Sequence, residues 1–118
     1  MTIKEMYDKV GGGYEEIFGR FGQDSLIDMF LGAFAEEPSF GQLKAVMEKD
    51  DMTEAFKMAH TLKGVCDNIS FARLREDAYT ITEALRNGKD IPLAKELFVK
   101  FEADYNETIA AIKEYQEG

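Results

Sequence analysis

The sequence predicts an all-α protein: an antiparallel, up-down four-helix bundle with extra short helices at its N-terminus. Three observations carry this. Apolar residues recur at spacings of three and four, and no stretch alternates with the period of two that a strand requires. Helix-start residues (Ser, Asp, Pro) and stop signals (Asn-Gly) divide the chain into helix-length pieces. The connections between these pieces are short, which forces consecutive helices to lie antiparallel. At 118 residues with 45% hydrophobic content, the chain is long enough to bury a core.

Residues 2–10 and 14–21 form two short helical pieces split by "GGG" at 11–13. Their apolar residues, among them Ile3, Met6, Tyr7, Tyr14, Ile17, Phe18 and Phe21, are expected across one end of the bundle. Residues 1–23 are therefore set apart from a bundle of residues 24–118. From Asp24, the face Leu26, Ile27, Phe30, Ala33 and Phe34 runs to Pro38, which removes a backbone donor. Ser39 with Gln42 fits a capping box that restarts the helix, with the face Phe40, Leu43, Val46 and Met47. Residues 24–49 thus form one kinked or broken arm.

Asp51 followed by Glu54 starts the next helix, and its core stripe is Ala55, Ala59, Leu62, Cys66 and Ile69. Ser70 offers an N-cap for a further helix with the stripe Phe71, Leu74, Ala78, Ile81 and Leu85, stopped by Asn87-Gly88. Asp90 caps the last helix and Pro92 sits in its first turn. Ala94, Leu97, Phe98, Phe101, Tyr105, Ile109 and Ile112 face inward from it.

The net charge of −9, from 14 basic and 23 acidic residues, argues against nucleic acid and anionic membranes as partners, since both need a basic surface. No apolar run reaches the ~20 residues of a membrane span. The first residues do not read as a secretory signal, so a cytoplasmic location is expected. A single cysteine excludes an internal disulfide. "GGGYEEIFGRFG" lacks the ending and the preceding strand of a phosphate loop.

His60 is the only histidine. It lies ~100° around the helix from Ala59, on the shoulder of the core stripe. Its neighbours one turn away are Phe56 on one side and Lys63 and Gly64 on the other, with Asp67 and Asn68 beyond. A glycine inside a helix costs ~1 kcal/mol relative to alanine. Gly64 therefore clears space beside the imidazole, either for another helix of the bundle or for another protein. Lys63 supplies a compact cation suited to a phosphate oxygen. One His and one Cys on different faces make a poor metal site, and none is expected.

The stretch "AHTLKGVCDNISF" resembles the signature of histidine-containing phosphotransfer (HPt) domains: a His, two residues, Lys-Gly, and an Asn before a helix end. From about Gly13 to the C-terminus, the helical layout is also similar to that family's. The resemblance implies a phosphocarrier without its own ATP site rather than an enzyme. It implies that His60 accepts a phosphoryl group from an aspartate of a response-regulator receiver domain, or donates one to it. It further implies Lys63 in phosphate electrostatics, Gly64 in access and Asn68 in the supporting surface. Receiver domains, and a sensor histidine kinase, are the implied partners. No cofactor is expected in the chain, Mg²⁺ being expected in the receiver.

Phe56, Lys57, Asp67, Asn68 and Phe71 are the expected partner-binding residues. Residues 52–75 carry a net +2 (Lys57, Lys63, Arg73 and Arg75 against Glu54 and Asp67), suited to an acidic receiver pocket. Val65-Cys66-Asp67 stand where small residues are common in the family, and Ile69-Ser70-Phe71 where Leu-Gly-Ala is common. These differences bear on the docking surface more than on His60. The alternative is a helical adaptor of the same fold that binds a signalling partner without phosphotransfer.

Overall fold

The computed structural model describes residues 1–118. Seven α-helices follow in chain order: α1 (Ile3–Lys9), α2 (Tyr14–Phe21), α3 (Asp24–Ala35), α4 (Ser39–Glu48), α5 (Met52–Asn68), α6 (Ala72–Leu85) and α7 (Ile91–Glu117). A 3₁₀ turn, Arg86–Gly88, joins the last two.

Several starts follow from the capping chemistry. The Asp51 carboxylate accepts from the Glu54 backbone N–H at 3.2 Å, and that of Asp90 from Leu93 N–H at 3.1 Å. Thr2 and Glu5 make a reciprocal capping box on α1. Two expected caps are corrected. Pro38 already has helical torsions and stands at the cap of α4, so Ser39 lies inside the helix, and its hydroxyl donates to Glu37 instead. Ser70 takes a left-handed φ of 59° and spans the α5–α6 turn, leaving Phe71 as the cap residue of α6. Asn87 and Gly88, both at positive φ, end α6 as their residue types suggest.

The broken arm α3–α4 runs antiparallel to α7 along its whole length. Tyr115 donates to Asp28 at 2.6 Å, Phe40 stacks on Tyr105 at 4.0 Å, Lys44 pairs with Glu102 at 2.8 Å, and Lys95 with Asp50 at 2.9 Å. Asp67 with Arg75 and Asp77 with Lys100 show the same reversal between α5 and α6 and between α6 and α7. The result is an up-down four-helix bundle. Its inward stripes are those of the sequence on α5, α6 and most of α7. On α3 the stripe is instead Ile27, Leu31 and Phe34, with Phe30 and Ala33 turned to solvent.

The helices differ in length, and this gives the N-terminal segment its place. At 1.5 Å per residue, the 27 residues of α7 span about 40 Å, whereas the 17 of α5 span about 26 Å and the 14 of α6 about 21 Å. Beyond the ends of α5 and α6, α1 packs on α7 and α2 packs on α3. Ile3, Met6, Tyr7, Val10 and Ile17 join the same continuous core as the bundle. The glycines make the join possible. Gly11 takes a φ of +68°, and a Cβ on Gly12 would sit 2.8 Å from the Tyr7 ring and 3.2 Å from the Ser70 carbonyl oxygen. The Gly13 N–H and the Tyr7 hydroxyl then donate to the carbonyls of Ser70 and Ile69.

One buried carboxylate makes the fold pH-sensitive. Asp77 is 6% exposed; one oxygen accepts from Lys100 at 2.7 Å and the other has no partner. Burial, reinforced by neighbouring Asp104, pushes its pKa up to about 6. A raised folded-state pKa means the native protein holds a proton that the unfolded chain releases near the ordinary value of 3.8. That contribution is complete below 3.8 and is lost as pH rises through about 6. Asp77→Asn mimics the protonated form, so the variant is expected to lack this loss. Urea midpoints of the two proteins across the same window check it. Burial also raises the Cys66 thiol to about 12, which marks it as core rather than as a reactive group.

Candidate functional site

Helix α5 carries the site. Its buried stripe fixes the helix against α4 and α6, and Arg20 of α2 caps its C-terminal end by donating to the carbonyls of Asp67 and Asn68 at 2.8 and 3.0 Å. The helix is thus a fixed platform at both ends. His60 stands on its outward side, exposed. The Phe56 ring lies one turn below, 6.2 Å from the imidazole centre and inclined by 18°.

Gly64, one turn above His60, is exposed, and a Cβ built there meets no atom within 4 Å. Close packing inside the bundle therefore does not account for the glycine. The space it clears faces solvent. It opens into a cleft of about 490 Å³ lined by Lys63, Gly64, Asp67, Arg75, Glu76 and Tyr79. The Lys63 ammonium lies 5.6 Å from the centre of the Tyr79 ring.

The other charges nearby are engaged: Lys57 with Glu54 at 3.3 Å, Arg75 with Asp67 at 2.8 Å, Arg73 with Glu107 at 3.3 Å, and Arg86 with Glu83 at 2.8 Å. Two of these pairs, Lys57 with Glu54 and Arg75 with Asp67, are internal to the net +2 of residues 52–75. Glu107 of α7 beside Arg73 and Glu16 of α2 beside Arg75 offset that excess from other helices, and Lys63 remains the cation without a carboxylate partner. No group of three or more His, Cys, Asp or Glu side chains is arranged to hold a metal ion.

A model of the Hpt domain matches residues 25–114. The chain belongs to the Hpt domain family. No curated protein and no solved structure matches it. Hpt domains are phosphocarriers of two-component signalling, and they interact with response-regulator receiver domains and kinases. The matched region begins within α3 and ends within α7; α1 and α2 lie outside it and share the bundle's core. No helix is long and apolar enough to cross a membrane.

The expected site residues of this Hpt domain divide. His60, Lys57, Gly64 and Asn68 are exposed, and Phe56, Lys63 and Asp67 are half-buried along the same side of α5. Phe71 is a correction. It is 0% exposed, with Tyr7 at 5.2 Å and Phe34 at 5.0 Å between ring centres, and it offers nothing to a partner. The reason is that α1 and the glycine segment close over the α5–α6 turn.

Tyr79, Arg86 and Arg20 were missed from the sequence. The first two had a signal. In a hairpin of helices about a tight turn, residues at equal distances from the turn face each other. Asp67 and Arg75 lie four residues either side of Phe71, Lys63 and Tyr79 eight, and Phe56 and Arg86 fifteen. Arg20 reaches α5 from a separate element, and no local pattern announces it.

Proposed function

We propose that His60 is the phosphoacceptor of this Hpt domain and exchanges a phosphoryl group with an aspartate of a receiver domain. The observation that carries the reading is an exposed imidazole beside a glycine whose missing side chain would have projected into open solvent. A helix retains such a glycine at ~1 kcal/mol of lost propensity, and approach of a second protein's aspartyl phosphate gives the cleared turn a use.

In the transfer, the unprotonated ring nitrogen of His60 attacks the phosphorus in line with the bond to the aspartate oxygen. The N–P bond forms as the P–O bond breaks. The aspartate leaves as a carboxylate with the bonding electron pair, and the proton of the imidazole stays on its other ring nitrogen. Charge spreads over the three phosphoryl oxygens in such a transition state. Lys63, one turn away and without a carboxylate partner, stabilises them. The Mg²⁺ of the reaction belongs to the receiver's acidic pocket. The reverse reaction loads the receiver, and a sensor histidine kinase is the upstream source of phosphate. Lys57 and Asn68, exposed on the same side, contact the partner.

Incubation with a phosphorylated receiver domain tests this. Intact-mass measurement is expected to show one phosphoryl group per chain, lost in acid and retained in alkali. Absence of any phosphorylated chain across a panel of receivers would overturn the reading.

A further inference from the structure

An exposed imidazole without a hydrogen bond is a poor nucleophile for in-line transfer, because it samples several staggered rotamers and its attacking nitrogen points in several directions. His60 makes no side-chain hydrogen bond, but an aromatic ring lies beside it. Long side chains on a helix lean toward its N-terminus, so the imidazole reaches back over residue 56, one turn below. Residue 56 is a phenylalanine, half-buried, with its ring inclined by 18° to the imidazole at 6.2 Å between centres.

The phenylalanine is itself held. The Arg86 guanidinium lies over its ring, 5.1 Å from the centre. Arg86 in turn bonds the Glu83 carboxylate at 2.8 Å through Nε and begins the turn in which Asn87 and Gly88 take positive φ. A connected series runs from the α6–α7 turn through Arg86 and Phe56 to the imidazole. Lys57, the next residue, is tied to Glu54 and takes no part.

We infer that Phe56, backed by Arg86, is a positioning residue that holds the His60 imidazole in the orientation used for phosphoryl transfer. Phe56 thereby acts through the histidine rather than as a docking contact for the partner. The inference rests on the reading of His60 as phosphoacceptor. An aliphatic side chain would fill the same volume without presenting a flat face to the imidazole, which separates orientation from packing.

The test uses the full chain, in which the imidazole proton resonances belong to one residue because His60 is the only histidine. Phe56→Leu is expected to bring the two Hα–Hβ couplings of His60 in the free protein toward a common, rotamer-averaged value, a readout that loss of the phenylalanine ring current does not move, and to slow transfer from a phosphorylated receiver by roughly tenfold, with the thermal midpoint little changed. Phe56→Tyr is expected to restore both. Arg86→Gln, which keeps the ring, is expected to move the same couplings in the same direction by less.

Unchanged couplings in Phe56→Leu would overturn the inference, whether or not transfer slows. Slower transfer with unchanged couplings would make Phe56 a partner contact only. Failure of the wild-type chain to take phosphate would instead remove the reading on which the inference rests, and the couplings would still report whether Phe56 orients the ring.

Discussion

Gly64→Gln is expected to make the protein more stable and to slow phosphoryl transfer by roughly a hundredfold or more. The two effects have separate origins. Gly64 lies inside α5 with helical torsions, and a Cβ there meets no atom within 4 Å. Replacing it removes the backbone-entropy penalty of a helical glycine, roughly 0.5–1 kcal/mol, with no clash to offset the gain. The same side chain then occupies the solvent-facing space one turn from His60 and holds the incoming phosphate away from the imidazole. Gly64→Ala should show most of the stability gain with a smaller loss of transfer. Urea midpoints and transfer rates for the three proteins check this, and a Gly64→Gln variant that transfers at the wild-type rate would show that the cleared turn has no bearing on access.

Phe71→Ala is expected to do the reverse. Its ring is fully buried where α1, α3 and the α5–α6 turn meet, and truncating a buried phenylalanine costs about 3–5 kcal/mol. Against the roughly 5–15 kcal/mol that holds a domain of ordinary stability, this is a large fraction. At a temperature and denaturant concentration where the variant remains folded, its transfer rate should stay within a few-fold of wild type, because His60 and Gly64 stand on the far side of the α5 backbone from the core. A loss of transfer without a loss of stability would return Phe71 to the docking surface.

The contrast between these two residues shows what a sequence makes legible. The helices of the bundle could be read because a stripe at spacings of three and four reports a local geometric fact, the 3.6-residue turn. Ala55, Ala59, Leu62, Cys66 and Ile69 are all buried for that reason. The stripe failed on α3, where Phe30 stacks on Phe21 of α2 at the surface instead of entering the core. His60, Lys63 and Gly64 were legible together because one helix carries them all. Phe71 was not, since its burial depends on α1 arriving from 62 residues away to bond Ile69. The charges failed likewise: Arg73 and Arg75 are matched by Glu107 and Glu16 from other helices, and no window along the chain contains those pairs.

The role of His60 is tested most directly with a receiver domain carrying labelled aspartyl phosphate, mixed in parallel with the wild-type chain and with His60→Gln. His60 is exposed and makes no side-chain hydrogen bond, so the variant should keep the wild-type fold and stability to within about 0.5 kcal/mol, as surface substitutions usually do. The expected result is label on the wild-type chain, stable in alkali and lost in acid, and none on His60→Gln. Equal labelling of both proteins, or label on the wild-type chain that withstands acid, would contradict His60 as the phosphoacceptor.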